Sequence, residues 1–147
     1  MKNKIILLLV LAISAVSIDA LYSKLTINLT ESLPYRLFWI SDNASFDKGG
    51  YVMFDSPSPK LTKPFVKSVG CISGDTLENR HSHFYCNDVW IADAIPQTTE
   101  ADLIPFQFNG KIPEGYFFAL GTHPSSYDSR YFGLIESAKA KPVKPIF

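Results

Sequence analysis

Hydrophobic positions along the chain follow two patterns. From Ile5 to Ile18 the sequence is uncharged and nearly all apolar, with Lys2 and Lys4 ahead of it and Asp19 behind. A terminal run of this kind without polar periodicity predicts a hydrophobic helix, and its basic flank is that of an export or anchoring element. Small residues at Ala15-Val16-Ser17 fit removal by a peptidase, whereas Leu21, Tyr22 and Leu25 would lengthen an amphipathic anchor. Residues 1–22 are therefore expected to be a signal peptide or a membrane anchor. The basic end would stay in the cytoplasm and residues 23–147 would be carried across.

Beyond that segment the apolar runs are short and closed by turn residues, which predicts strands. Thr26 to Ser32 reads as a loop and Tyr35 to Ile40 as a first strand. Tyr51 to Phe54 follows the turn Asp47-Lys-Gly-Gly50, and Phe65 to Cys71 follows the proline-rich Ser56–Lys60. Leu77 to Ile91 alternates as a hairpin around Asn79–Ser82, and Ala94 to Asn109 is irregular, an apparent insertion. Tyr116 to Leu120 reads as a strand, Gly121 to Arg130 as a polar loop and Tyr131 to Glu136 as the last strand. The basic tail from Lys139 to Phe147 is expected to close a sheet edge or fray. The aromatic run at Tyr35–Ile40 suits a buried core or a membrane-touching surface.

Composition narrows the class. A chain of 147 residues with 14% aromatics, 10 prolines and 8 glycines suits one mainly β domain after the N-terminal helix. Formal net charge is zero and acids and bases are interspersed. No basic stripe with interleaved aromatics is present, so nucleic acid is not an expected partner. No glycine-rich phosphate loop, repeat or heptad pattern occurs, and no cofactor is implied.

Two polar residues stand out. Ser32 lies in Asn28-Leu-Thr-Glu-Ser32-Leu-Pro34, and Lys67 interrupts the apolar run Phe65-Val-Lys67-Ser-Val69-Gly70. Strand alternation puts Phe65, Lys67 and Val69 on one face, so the amine shares the apolar side and burial should lower its pKa. A lysine held neutral can take a proton from a serine hydroxyl. The plainer alternatives are a turn serine and a lysine pointing to water. Cys71 and Cys86 suit an exported protein with a disulfide, a bridge worth roughly 3 kcal/mol; two unpaired core cysteines are the alternative. His81, His83 and Cys86 resemble part of a zinc site but also a polar hairpin tip, and no metal is expected. His123 lies close to Ser126 in sequence, but no acid is placed to complete a Ser-His arrangement.

Read in order, these segments resemble the type I signal peptidase superfamily, in particular the TraF-type peptidases of conjugative transfer. Asn28–Pro34 resembles the nucleophile box, and Val66–Gly70 with Ser73-Gly74-Asp75 the general-base box. Pro113–Gly121 resembles the strand before the last box, and Ser126-Tyr-Asp128-Ser129-Arg130-Tyr131-Phe-Gly133 the last box itself. The resemblance implies a signal-peptidase-like β domain, Ser32 as nucleophile and Lys67 as general base. It further implies an oxyanion hole from the Ser32 amide and the Thr30 hydroxyl, Ser126 orienting Lys67, and Asp128 with Arg130 as a structural ion pair. The sequence departs from the family at Arg36, where glycine is usual, at Ser68, where a basic residue is common, and at Thr122-His123, which replaces Asp-Asn.

The implied substrate is an exported precursor, in particular a pilin of a conjugation apparatus. Its acyl-enzyme would be resolved by water or, with cyclisation, by an amine. The implied location is the inner membrane facing the periplasm, or the periplasm if the N-terminal segment is cut. Two alternatives are a non-catalytic periplasmic assembly factor of the same apparatus and a self-cleaving repressor. The repressor needs a DNA-binding domain where this chain has a hydrophobic leader.

Overall fold

Short alternating strands bury an apolar face only by pairing on both sides, and this chain does so in two antiparallel sheets. The computed structural model describes residues 4, 6, 16–41, 46–59, 61–95 and 103–147. Among the described residues the larger sheet has seven strands in the order β1-β2-β11-β3-β4-β9-β10. They are β1 Leu25–Ile27, β2 Leu37–Ile40, β3 Tyr51–Phe54, β4 Phe65–Ile72, β9 Tyr116–Leu120, β10 Ile135–Glu136 and β11 Ala140–Pro145. The smaller sheet has four in the order β7-β6-β5-β8, with β5 Thr76–Arg80, β6 His83–Cys86, β7 Val89–Asp93 and β8 Asn109–Lys111. The fold is mainly β, as expected. Residues 16–22 are helical, and among the described residues no helix is long and apolar enough to cross a membrane. Most of the expected leader over 1–22 lies outside the described residues.

β4 joins the two halves. On one face Val69 packs with Val52, Phe54, Phe117 and Ala119; on the other, Val66 packs with Leu33, Phe38 and Val143. A bulge between Val69 and Cys71 then reverses the alternation, pairing Cys71 with Phe118 and delivering it to a third cluster with Leu77, Phe84 and Ile112. Cys71 is disulfide-bonded to Cys86 of β6, tying the two sheets together.

Several boundaries differ from expectation for identifiable reasons. The tail forms β11 in the interior of the large sheet, where Val143 pairs with both Ile40 and Tyr51. Its prolines argued against an inner strand. However, the Pro142 carbonyl accepts from the Ser41 amide just beyond β2, so its missing N–H faces that side and removes no bond to β3. The expected strand Tyr131–Glu136 begins instead as the helical turn Ser129–Phe132. Asp128 caps its start and Gly133, at φ 84°, ends it. The expected hairpin is three strands, because a second tight turn at Asn87–Asp88 adds to that at His81–Ser82, all four residues having positive φ. In the aromatic run Phe38 is core, whereas Trp39 on the opposite side is 37% exposed.

Candidate active site

Ser32 sits on the connection between β1 and β2. The Asn28 amide donates to the Arg36 carbonyl (2.8 Å) and Asn28 Nδ2 to the Tyr35 carbonyl (3.4 Å), closing the base of this loop. Arg36 has no positive φ, so this backbone does not require glycine there. Leu33 is buried beside Phe38, which anchors the loop next to Ser32. The Ser32 carbonyl accepts from the Thr122 amide at 2.7 Å and from Thr122 Oγ1 at 3.2 Å. Thr30 Oγ1 lies 2.8 Å from Ser32 Oγ and 3.0 Å from Asn28 Oδ1.

Lys67 lies mid-strand in β4 opposite Val52, on the face of Phe65 and Val69. It is only 5% exposed. Its Nζ donates to Ser126 Oγ at 2.7 Å and stands 5.4 Å from the centre of the Phe65 ring. Burial lowers the Lys67 pKa from 10.5 to about 8; the Asp128 carboxylate opposes the change and the Arg130 guanidinium adds to it.

The loop after β9 brings Ser126 to that amine. Gly121 permits the approach, since a Cβ there would lie 2.1 Å from Ser126 Oγ and 3.0 Å from the Ser32 carbonyl oxygen. Asp128 and Arg130 form a fully buried ion pair at 2.7 Å. Arg130 also donates to the carbonyls of His123, Pro124 and Ser126 and to that of Asp93 in β7, while the Gly121 amide donates to Asp128 Oδ2. One guanidinium thus holds the Ser126 loop and links it to the small sheet.

A cavity of about 900 Å³ brings Thr30, Ser32, Lys67 and Ser126 together, flanked by Leu25, Ile27, Leu61, Phe65 and Tyr127. Asp128 and Arg130 are not among its lining residues. His123 also lines the cavity, but its Nδ1 accepts from the Ser125 amide. The part-zinc pattern at His81, His83 and Cys86 is not assembled as ligands: the Cys86 sulfur is in the disulfide and His83 Nδ1 pairs with Asp93 at 2.7 Å. Gly121, Thr122 and Asn28 were not foreseen as site builders. For Asn28 the cue was its position two residues before Thr30, the spacing at which an Asx side chain bonds the backbone.

An apolar cavity holding a serine hydroxyl, a second hydroxyl donor and a lysine amine of reduced basicity offers the groups that acyl transfer to serine requires. The family comparison makes the class definite, that of the serine peptidases. The family model described as "Signal peptidase, peptidase S26" matches residues 1–141, and the chain belongs to that family. It is a peptidase that processes exported precursor proteins, in a family that is membrane-associated and acts on the periplasmic side. A crystal structure of a signal peptidase I from Enterococcus faecalis V583 matches with 26% identity over 71% of this chain and 99% of that one, at a TM-score of 0.47. No curated protein matches.

Proposed function

We propose that Ser32 is the nucleophile and Lys67 the general base of a signal peptidase acting on exported precursors. The observation that carries this reading is the buried Lys67 amine, with its pKa near 8, held by Ser126 at 2.7 Å in the cavity that also contains Ser32. Neutral Lys67 takes the Ser32 proton as Oγ attacks the scissile carbonyl carbon. The oxyanion is met by the Thr30 hydroxyl and the Ser32 amide. The Lys67 ammonium then protonates the departing amine, leaving an ester on Ser32. Water, deprotonated in turn by Lys67, releases the acyl group; an amine of the same substrate would give a cyclic product instead. Ser126 keeps the amine oriented, and the Asp128–Arg130 pair keeps Ser126 in place.

The precursor lies extended in the apolar cavity, paired by its main chain to exposed backbone. The proposed substrate is a pilin or another exported component of a conjugation apparatus, supported by the TraF-like order of the four boxes. Residues 1–22 hold residues 23–147 at the outer face of the inner membrane, and the Cys71–Cys86 disulfide suits that oxidising side. The test is incubation of the protein and its Ser32→Ala variant with a purified pilin precursor. The parent should release the leader and the variant should leave it intact. Equal processing by both would overturn the assignment, and failure of both would favour the assembly factor.

A further inference from the structure

Asn28 is almost fully buried, at 6% exposure, yet takes no part in the chemistry above. Its Oδ1 accepts from the Thr30 amide at 3.3 Å and from Thr30 Oγ1 at 3.0 Å, while Thr30 Oγ1 is also 2.8 Å from Ser32 Oγ. A threonine hydroxyl has one proton, and an amide oxygen only accepts. The Thr30–Asn28 contact must therefore use the Thr30 proton, and the Ser32–Thr30 contact must then use the Ser32 proton. Both contacts can be satisfied in one direction only, from Ser32 Oγ–H to Thr30 Oγ and from Thr30 Oγ–H to Asn28 Oδ1.

We propose that Asn28 is a positioning residue that sets the proton direction of this chain and thereby presents Thr30 to the developing oxyanion. The proposal rests on the assignment of Ser32 as nucleophile and Thr30 as oxyanion donor. In the resting enzyme the proton of the nucleophile is directed to Thr30 rather than to Lys67, and the Thr30 proton is parked on Asn28. As Ser32 Oγ attacks, its proton passes to Lys67 and the Thr30 hydroxyl turns from Asn28 Oδ1 to the oxyanion. No atom is gained or lost, and the Asn28 contact to the Thr30 amide keeps the backbone fixed while the hydroxyl turns. Asn28 thus acts through Thr30 on the rate of acylation rather than on substrate binding.

The test is a double-mutant cycle on the full chain, with kcat and KM measured on a precursor peptide spanning its cleavage site. Thr30→Val removes the donor and should lower kcat by about 100-fold. Asn28→Ala should lower kcat by about tenfold with KM within about twofold, because the Thr30 proton then falls on Ser32 Oγ and that contact must break before attack. In the Thr30→Val background the same Asn28 change should cost less than about twofold, because the group it acts through is gone. Should Asn28→Ala not fold, Asn28→Ser keeps an acceptor for the Thr30 amide but is too short for its hydroxyl, and carries the same expectation. An Asn28 effect of equal size in both backgrounds, a change confined to KM or a faster variant would overturn the proposal. Ser32→Ala is assayed alongside. If it processes substrate as the parent does, the nucleophile assignment fails and this proposal falls with it; if it is inactive while the cycle is additive, only the role of Asn28 fails.

Discussion

A lysine amine inside a sheet weakens the fold that holds it. For Lys67 the fall from 10.5 to about 8 corresponds to about 3 kcal/mol of penalty on the charged form. Between those values the unfolded chain binds a proton that the folded chain does not, so stability should rise with pH from about 8 to 10.5, the penalty being fully present below that window. Lys67→Met keeps an apolar stem without the charge. It should raise the unfolding free energy by about 2 kcal/mol at pH 7, flatten that pH dependence and abolish processing. Urea unfolding at pH 7 and pH 10 measures this, and an unchanged stability and slope would contradict it. Ser32 and Lys67 stood out in the sequence as polar residues in a distinctive local context, whereas Ser126, Asp128 and Arg130 were singled out only through the family resemblance. Thr122 was not, since its role is to hold the Ser32 carbonyl from 90 residues away. Gly121 matters through a Cβ it lacks, which no local pattern announces.

Elements were legible where pattern and partner agree, as in β3, β4 and β9, whose apolar runs are buried on pairing. They were missed where long-range pairing overrode local signs. β11 was hidden by its prolines and basic residues, although it lies between β2 and β3. The helical turn Ser129–Phe132 was hidden by aromatic residues that read as strand, although the Asp128 and Gly133 caps bracket it. The disulfide joins elements that share the third apolar cluster but belong to different sheets. Replacing Cys71 and Cys86 together by alanine should lower the unfolding free energy by about 3 kcal/mol. The folded fraction should keep its Lys67–Ser126 contact and therefore its activity at low temperature. Urea titration with a parallel cleavage assay checks both, and full loss of activity in the folded variant would tie the bridge to the site itself.

Across the whole molecule, the cavity opens between the β1–β2 connection and the segment leading into β4, with exposed Ile27, Leu29 and Leu61 nearby. Zero net charge gives no reason to expect charge-driven attraction to a membrane, so attachment should depend on residues 1–22 and on apolar contact. The full chain should sediment with membranes, whereas residues 23–147 should be largely released yet still cleave a short precursor peptide in solution. Fractionation followed by a peptide assay tests this, and equal membrane retention of the shortened chain would place the anchor elsewhere.

The most direct test of the proposed Ser32–Lys67 chemistry is the pH dependence of kcat/KM on a precursor peptide. With the amine neutral only above its lowered pKa, the rate should climb tenfold per pH unit below about 8 and level off above it. A flat profile from pH 6 to 10, or a rise centred near the ordinary lysine value, would contradict Lys67 as the base.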